Sequence, residues 1–203
     1  MKNTFFAAAL CVVAFTANSK EAFNASLSFK SHSRLCFVEN KGQVRDQNNK
    51  LRSDVDFNLH AAAGLAIFVG NGAIHYQYSR LDKKRNAAYR MDVTLVGANK
   101  NARVIKEEKL EYYERYSTDG SQLVADTFTK ITYKDIYTNI DWILSVKNGH
   151  LEYEFKVKEG GNPADIQIKY EGATNLALNA DGSFTATTPL GIITEQAPVS
   201  YQS

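Results

Sequence analysis

The stretch Asp135–Glu171, DIYTNIDWILSVKNGHLEYEFKVKEGGNPADIQIKYE, carries the most complete structural code in the chain. Ile140, Trp142, Leu144 and Val146 alternate with Asp141, Ile143, Ser145 and Lys147. Leu151, Tyr153, Phe155 and Val157 alternate with Glu152, Glu154, Lys156 and Lys158. A period of two is that of a half-buried strand. Between the runs lies Asn148-Gly149, the pair favoured in a two-residue type I′ turn because both central residues need φ > 0. Counting back from this turn sets Val146 opposite Leu151, Leu144 opposite Tyr153, Trp142 opposite Phe155 and Ile140 opposite Val157. One face is then wholly apolar. On the other, Asp141 stands across from Lys156, an opposite-charge pair worth ~0.2–1 kcal/mol. A slip of one residue would turn the apolar set to water, so turn and pattern specify the same register.

The same device occurs upstream, where Leu65, Ile67 and Val69 face Ile74, Tyr76 and Tyr78 across Asn71-Gly72. Leu35–Asn40 reads as a short strand and Lys41–Ser53 as a polar loop. Val55, Phe57 and Leu59 alternate with Asp54, Asp56, Asn58 and His60, and Tyr89, Met91, Val93 and Leu95 form another alternating run ending at Gly97. Arg103–Tyr116 is rich in helix-forming Glu, Lys and Leu, but its apolar residues make no helical stripe, so it reads as extended. Asp119-Gly120 is a turn, and Phe128–Tyr137 leads into the central hairpin. Gly160-Gly161-Asn162-Pro163 turns the chain into a strand carrying Ile166, Ile168 and Tyr170. Near Ala180-Asp181-Gly182, a three-residue loop with Gly182 left-handed sets Leu178 against Phe184 and Leu176 against Ala186; a two-residue loop would put Phe184 on the wrong face. Pro189-Leu190-Gly191 reverses the chain into Ile192–Gln196, and Val199 and Tyr201 begin a further strand.

Met1–Ser19 has the form of a secretory signal peptide: Lys2 gives the positive end, Phe5–Phe15 the apolar core, and Ala17-Asn18-Ser19 small residues before a cut. Cys11 follows Leu10 rather than the small residue a lipid-anchor cleavage site would place there. The rest has no apolar run long enough to cross a membrane as a helix. Residues 20–34 read as a polar, patternless leader containing an Asn24-Ala25-Ser26 sequon, and residues 35–203 as a single domain truncated at its C-terminal end. Without Lys2 the chain keeps 23 basic and 22 acidic residues, and this near-neutral balance excludes nucleic acid as the main partner. Cys36 is then the single cysteine, and its Leu35-Cys36-Phe37-Val38 context suits a small buried residue rather than a reactive thiol.

Five phrases occur together and in order: Phe37–Gln43 (FVENKGQ), Tyr133–Asp141 (YKDIYTNID), Leu151–Phe155 (LEYEF), Tyr170–Ala173 (YEGA) and Glu195–Gln202. The set resembles the N-terminal β-rich domain of large secreted Bacteroidetes-type surface proteins that carry β-propeller repeats, immunoglobulin-like modules and a C-terminal sorting domain. The resemblance covers residues 35–202. Asn139 stands where that pattern has glycine, and Asn tolerates left-handed φ next best. The resemblance implies a secreted or cell-surface setting. It brings no established activity and no catalytic residues.

Candidate chemistry is sparse. Asp54 and Asp56 would point to one side of a strand, as two calcium ligands do, but without a third acid they read as a solvated face. His32, His60, His75 and His150 lack metal-ligand spacing. Glu107, Glu108, Glu111 and Glu114 could supply a glycosidase pair, yet interleaving with Lys109 and Arg115 marks a self-compensated edge. Tyr112, Tyr113, Tyr116, Tyr133 and Tyr137 fall in two clusters whose alternation cannot bury every ring, and exposed rings could meet a protein or stack on a polysaccharide. The expectation is an all-β, mostly antiparallel β-sandwich built from successive hairpins, with 11 to 13 strands. It would serve as a non-catalytic structural or adhesion module, without cofactor or metal, that meets neighbouring domains of the same protein or an extracellular partner. The alternatives are a carbohydrate-binding module using those tyrosines and, third, a glycoside hydrolase.

Overall fold

A computed structural model describes residues 7–16, 35–61, 64–81, 86–118 and 121–201. The strands are β1 (Ala7–Thr16), β2 (Phe37–Glu39), β3 (Phe57–His60), β4 (Leu65–Gly70), β5 (Ala73–Leu81), β6 (Asn86–Leu95), β7 (Arg103–Thr118), β8 (Ser121–Tyr137), β9 (Ile140–Lys147), β10 (His150–Val157), β11 (Ile168–Glu171), β12 (Asn175–Leu178), β13 (Phe184–Thr188), β14 (Gly191–Glu195) and β15 (Val199–Tyr201). The two longest, β7 and β8, form one antiparallel arm. The architecture is all-β and antiparallel, as the alternation requires. A 3₁₀ turn at Pro163–Asp165, capped by the Asn162 side chain, is a feature the pattern did not announce.

The central hairpin has the register derived above, from Val146↔Leu151 to Val157↔Ile140, with Asp141 opposite Lys156. Asn148 and Gly149 take φ 52° and 79°, the two positive values that a type I′ turn needs. The first hairpin also pairs as expected, Leu65↔Tyr78, Ile67↔Tyr76 and Val69↔Ile74. So does the last loop, with Leu178↔Phe184 and Leu176↔Ala186 and Gly182 at φ 80°. The turn at Asp119-Gly120 and the leader at residues 20–34 lie outside the described residues.

One continuous ladder runs β11-β6-β5-β4-β3-β2-β8-β9-β10-β1-β14-β13-β12, with β7 on the side of β8 and β15 beside β1. It curls so that its two halves face each other. Tyr170 on β11 meets Phe184 on β13 at 4.8 Å. Tyr133 on β8 donates to Asp56, just before β3, at 2.9 Å, and the Tyr137 hydroxyl donates to the Val96 carbonyl at 3.0 Å. The result is sandwich-like. Its core gathers Phe57, Leu59, Ile67, Tyr76 and Met91 from one half with Ile131, Trp142, Leu144, Tyr153 and Phe155 from the other. Each such large side chain contributes about 1.5–3 kcal/mol by leaving water. A smaller cluster of Cys36, Val38 and Ala125 lies under the β7–β8 arm with Leu110, Tyr116 and Leu123 against it, so Cys36 is a buried residue.

Residues 7–16, which overlap the Phe5–Phe15 segment read above as the apolar core of a signal peptide, form a strand between β10 and β14. Its ladder runs from Ala7↔Val157 to Val13↔Leu151 on one side and from Val13↔Glu195 to Thr16↔Ile192 on the other.

Candidate functional site

The five tyrosines do not share one surface. Tyr133 and Tyr137 are core residues, buried on β8 with bonded hydroxyls, because β8 passes between the two halves of the fold and its alternate residues point inward. Tyr116 is half-buried against the small cluster and donates to Glu114, so burial and the neighbouring carboxylate push its phenol well above the usual range. Tyr112 and Tyr113 remain exposed on β7. They lie on opposite sides of it. Tyr112 shares Glu114 with Tyr116, whereas Tyr113 accepts from Arg115 at 2.8 Å and carries its guanidinium 5.1 Å from the ring centroid. Val124, paired with Arg115, extends the exposed side. Among the described residues β7 is laddered to β8 alone, so its outer edge faces solvent.

A second exposed edge lies at the end of the ladder and escaped the sequence reading. Leu176 and Leu178 on β12 are 46% and 77% exposed, although their register partners Ala186 and Phe184 turn toward the core. Among the described residues β12 pairs with β13 alone, and Asn175–Leu178 contains no charge or proline.

The carboxylates are dispersed. Asp54 and Asp56 sit before β3 rather than on it, and different partners hold them. Arg52 grips Asp54 with two bonds of 2.7 and 2.6 Å, while burial raises the Asp56 carboxyl against the opposing effect of its Tyr133 bond. Glu107 accepts from Thr132 at 2.6 Å and pairs with Lys130 at 3.2 Å. Burial raises its carboxyl, but these partners outweigh that and leave it below the usual range, the reverse of what a general acid needs. Glu108 accepts from Thr129. Among the described residues no three His, Cys, Asp or Glu side chains converge as a metal site. His75 binds Asp92 at 2.8 Å and His60 lies 3.1 Å from Asn58.

The surface of the described residues also carries two concavities. One, of about 710 Å³, lies by the β8–β9 turn and is lined by Asp135, Asn139, Asp165 and Gln167. The other, of about 460 Å³, sits between the Lys41–Ser53 loop and the outer face of β4–β6, with Arg45, Arg52, Arg90, His75 and Tyr89 on its wall. Its arginines are engaged: Arg52 with Asp54, Arg90 with Asp92 at 2.7 Å, and Arg45 with the Asn49 carbonyl at 2.9 Å.

Two buried acids were missed. Asp141 is held by Lys134, by Lys158 at 2.9 Å and by the Asp135 amide at 2.9 Å. Glu195 accepts from Tyr153 at 2.8 Å, and burial raises its carboxyl more than its Tyr170 and Tyr153 bonds lower it. Parity could have found Glu195, two residues after inward Ile193.

The family model for a domain of unknown function, DUF7948, matches residues 37–203. The chain belongs to that family. The DUF7948 match thus starts at β2 and takes in both exposed edges, β7 and β12, while β1 lies before it. Comparison with curated proteins found no match, and comparison with solved structures found none. Among the described residues no helix is long and apolar enough to cross a membrane.

Proposed function

We propose that this DUF7948 domain is a non-catalytic structural or adhesion module of a secreted or cell-surface multidomain protein, and that it docks a neighbouring domain or an extracellular protein through its sheet edges. The observation that carries this reading is β12, an end strand with Leu176 and Leu178 in solvent and no charge to blunt it. Natural sheets protect such edges with charge, proline or a cover. β7 shows that protection, with charges of both signs from Lys106, Glu107, Glu108 and Lys109 to Glu111, Glu114 and Arg115; β12 lacks it, which suits a covered edge. The exposed rings support polysaccharide stacking less well. Tyr112 and Tyr113 are on opposite sides of β7, and Arg115 already covers one of them, so they form no common platform.

A membrane-impermeant thiol reagent applied to whole cells of the native host tests this. His150→Cys, at an exposed hairpin tip, should label on intact cells, while Leu178→Cys should label slowly there and fast in the isolated chain. Labelling of neither until lysis would refute the surface location. Equal fast labelling of both would refute a covered β12.

A further inference from the structure

The two walls of the β1 position belong to the DUF7948 match, but the strand between them does not. β1 is antiparallel to β10 and to β14 and β15. If residues 1–19 are removed on export, β10 on one side and β15 followed by β14 on the other are left running parallel about 9.6 Å apart, twice the strand spacing, facing each other where β1 is paired on both sides, at positions 8–10 and 13. Their facing main-chain groups then lack a ladder, and such groups need partners when enclosed. Leu151, Tyr153 and Phe155 on one wall and Ile193 on the other are buried, so whatever fills the slot needs an apolar inner face of period two.

The chain directly behind the cut supplies one. Phe23, Ala25, Leu27 and Phe29 alternate with Asn24, Ser26, Ser28 and Lys30, a period of two that corrects the patternless reading of this leader given above. We propose that, in the secreted protein, residues 22–30 replace β1 as the strand between β10 and β14. This rests on the secreted reading above.

With Phe29 in the place of Phe15, Leu27 falls opposite Leu151, Ala25 opposite Tyr153 and Phe23 opposite Phe155, by the register that β1 holds. The replacement keeps an aromatic ring opposite Ile193 and a branched aliphatic opposite Leu151. It enters in the same direction as β1, antiparallel to both walls, and main-chain bonding to two strands is what gives strand addition its affinity. The tether also suffices. From the slot to β2 the ladder passes β10, β9 and β8, four spacings or about 19 Å along a flat sheet and less along a curled one. The six steps from Phe29 to Leu35 reach about 20 Å.

The test starts from the full chain expressed in its native host, with the cells and the medium both collected and the chain purified from whichever holds it. Intact mass gives its N-terminus. Ser26→Cys with Glu152→Cys, and Ser28→Cys with Thr194→Cys, should each form an intramolecular disulfide, read by peptide mass, because those positions oppose one another across the two walls. Leu27→Cys with Glu152→Cys, one residue out of register, should not. Leu27→Asp should lower the melting midpoint by roughly 5 °C or more, and Ser26→Lys, opposite Glu152, should not lower it. A processed N-terminus without these disulfides overturns the exchange while leaving the secreted reading intact. Disulfides between molecules overturn it in favour of a second copy. Retention of residues 1–19, with Val12→Cys linking to Glu152→Cys, overturns the secreted reading and the exchange together.

Discussion

Removing the Asp141 carboxylate should unfasten the irregular turn of β8. The ladder between β8 and β9 shifts register between Tyr133 and Tyr137, and Asp135 inside that shift is left-handed at φ 52°. Asp141, only 1% exposed, accepts the Asp135 amide and pairs with Lys134 and Lys158. Breaking a fully buried pair costs about 3–5 kcal/mol. Here the lysines are 33% and 29% exposed and regain water, so Asp141→Asn should cost about 2 kcal/mol and Asp141→Ala, which also strands the Asp135 amide, about 3. Burial raises the Asp141 carboxyl, but the Lys134 bond, the Asp135 amide and Lys158 outweigh it and leave it below the usual range. A lowered folded value means that the carboxylate stabilises above its unfolded pKa of about 3.9 and that this is lost as pH falls through the folded value. Urea unfolding from pH 2 to 7 should therefore show the wild-type advantage over Asp141→Asn full above about pH 5 and fading in acid. A cost under about 0.5 kcal/mol, or a cost independent of pH, would refute this account.

Other outcomes follow from single sites. Gly70→Ala places a Cβ 2.2 Å from the Asp54 carbonyl oxygen, so it should cost about 3 kcal/mol or more; Gly97→Ala, at φ 74° with open space, should cost only about 1–2 kcal/mol of left-handed strain. Denaturant midpoints of the pair compare the two directly. For Glu195, whose folded pKa burial raises, the stabilising state is the protonated one, complete below an unfolded value of about 4.3 and lost as pH rises through the folded value. Glu195→Gln should thus gain stability of order 1 kcal/mol at pH 7, shrinking to nothing near pH 4, and a gain that grows toward acid would contradict it. Leu178→Lys on the exposed edge should change unfolding free energy by no more than about 0.5 kcal/mol.

Hairpins were legible because their information is local. Asn148-Gly149 and Asn71-Gly72 fix where the count starts, alternation fixes which side chains share a face, and the observed registers follow without any long-range knowledge. The same counting placed Asp141 opposite Lys156, but not its bonds to Lys134 and Lys158, since those depend on the register shift in β8. Which tyrosines reach solvent was not legible for a related reason. Tyr112 and Tyr133 have similar surroundings in the sequence, yet one lies on a strand with a free edge and the other where β8 crosses between layers. Local pattern does not encode that difference.

β12 shows where parity stops and why that bears on function. Leu178 and Phe184 were correctly paired, and one face should then be buried as a unit. It is not, because cover is a property of the opposite layer. Tyr170 on β11 reaches Phe184 on β13, whereas Leu176 and Leu178 on β12 stay in solvent, so the facing layer ends over β13 and β12 overhangs it. Leucine at both overhanging positions, with no charge between them, is apolar surface that this fold leaves in water. Lysine there would have been costless to stability and protective against aggregation. Under the proposed docking a surface of the assembled protein covers β12, and Leu176→Lys with Leu178→Lys should weaken that docking while the domain itself melts unchanged.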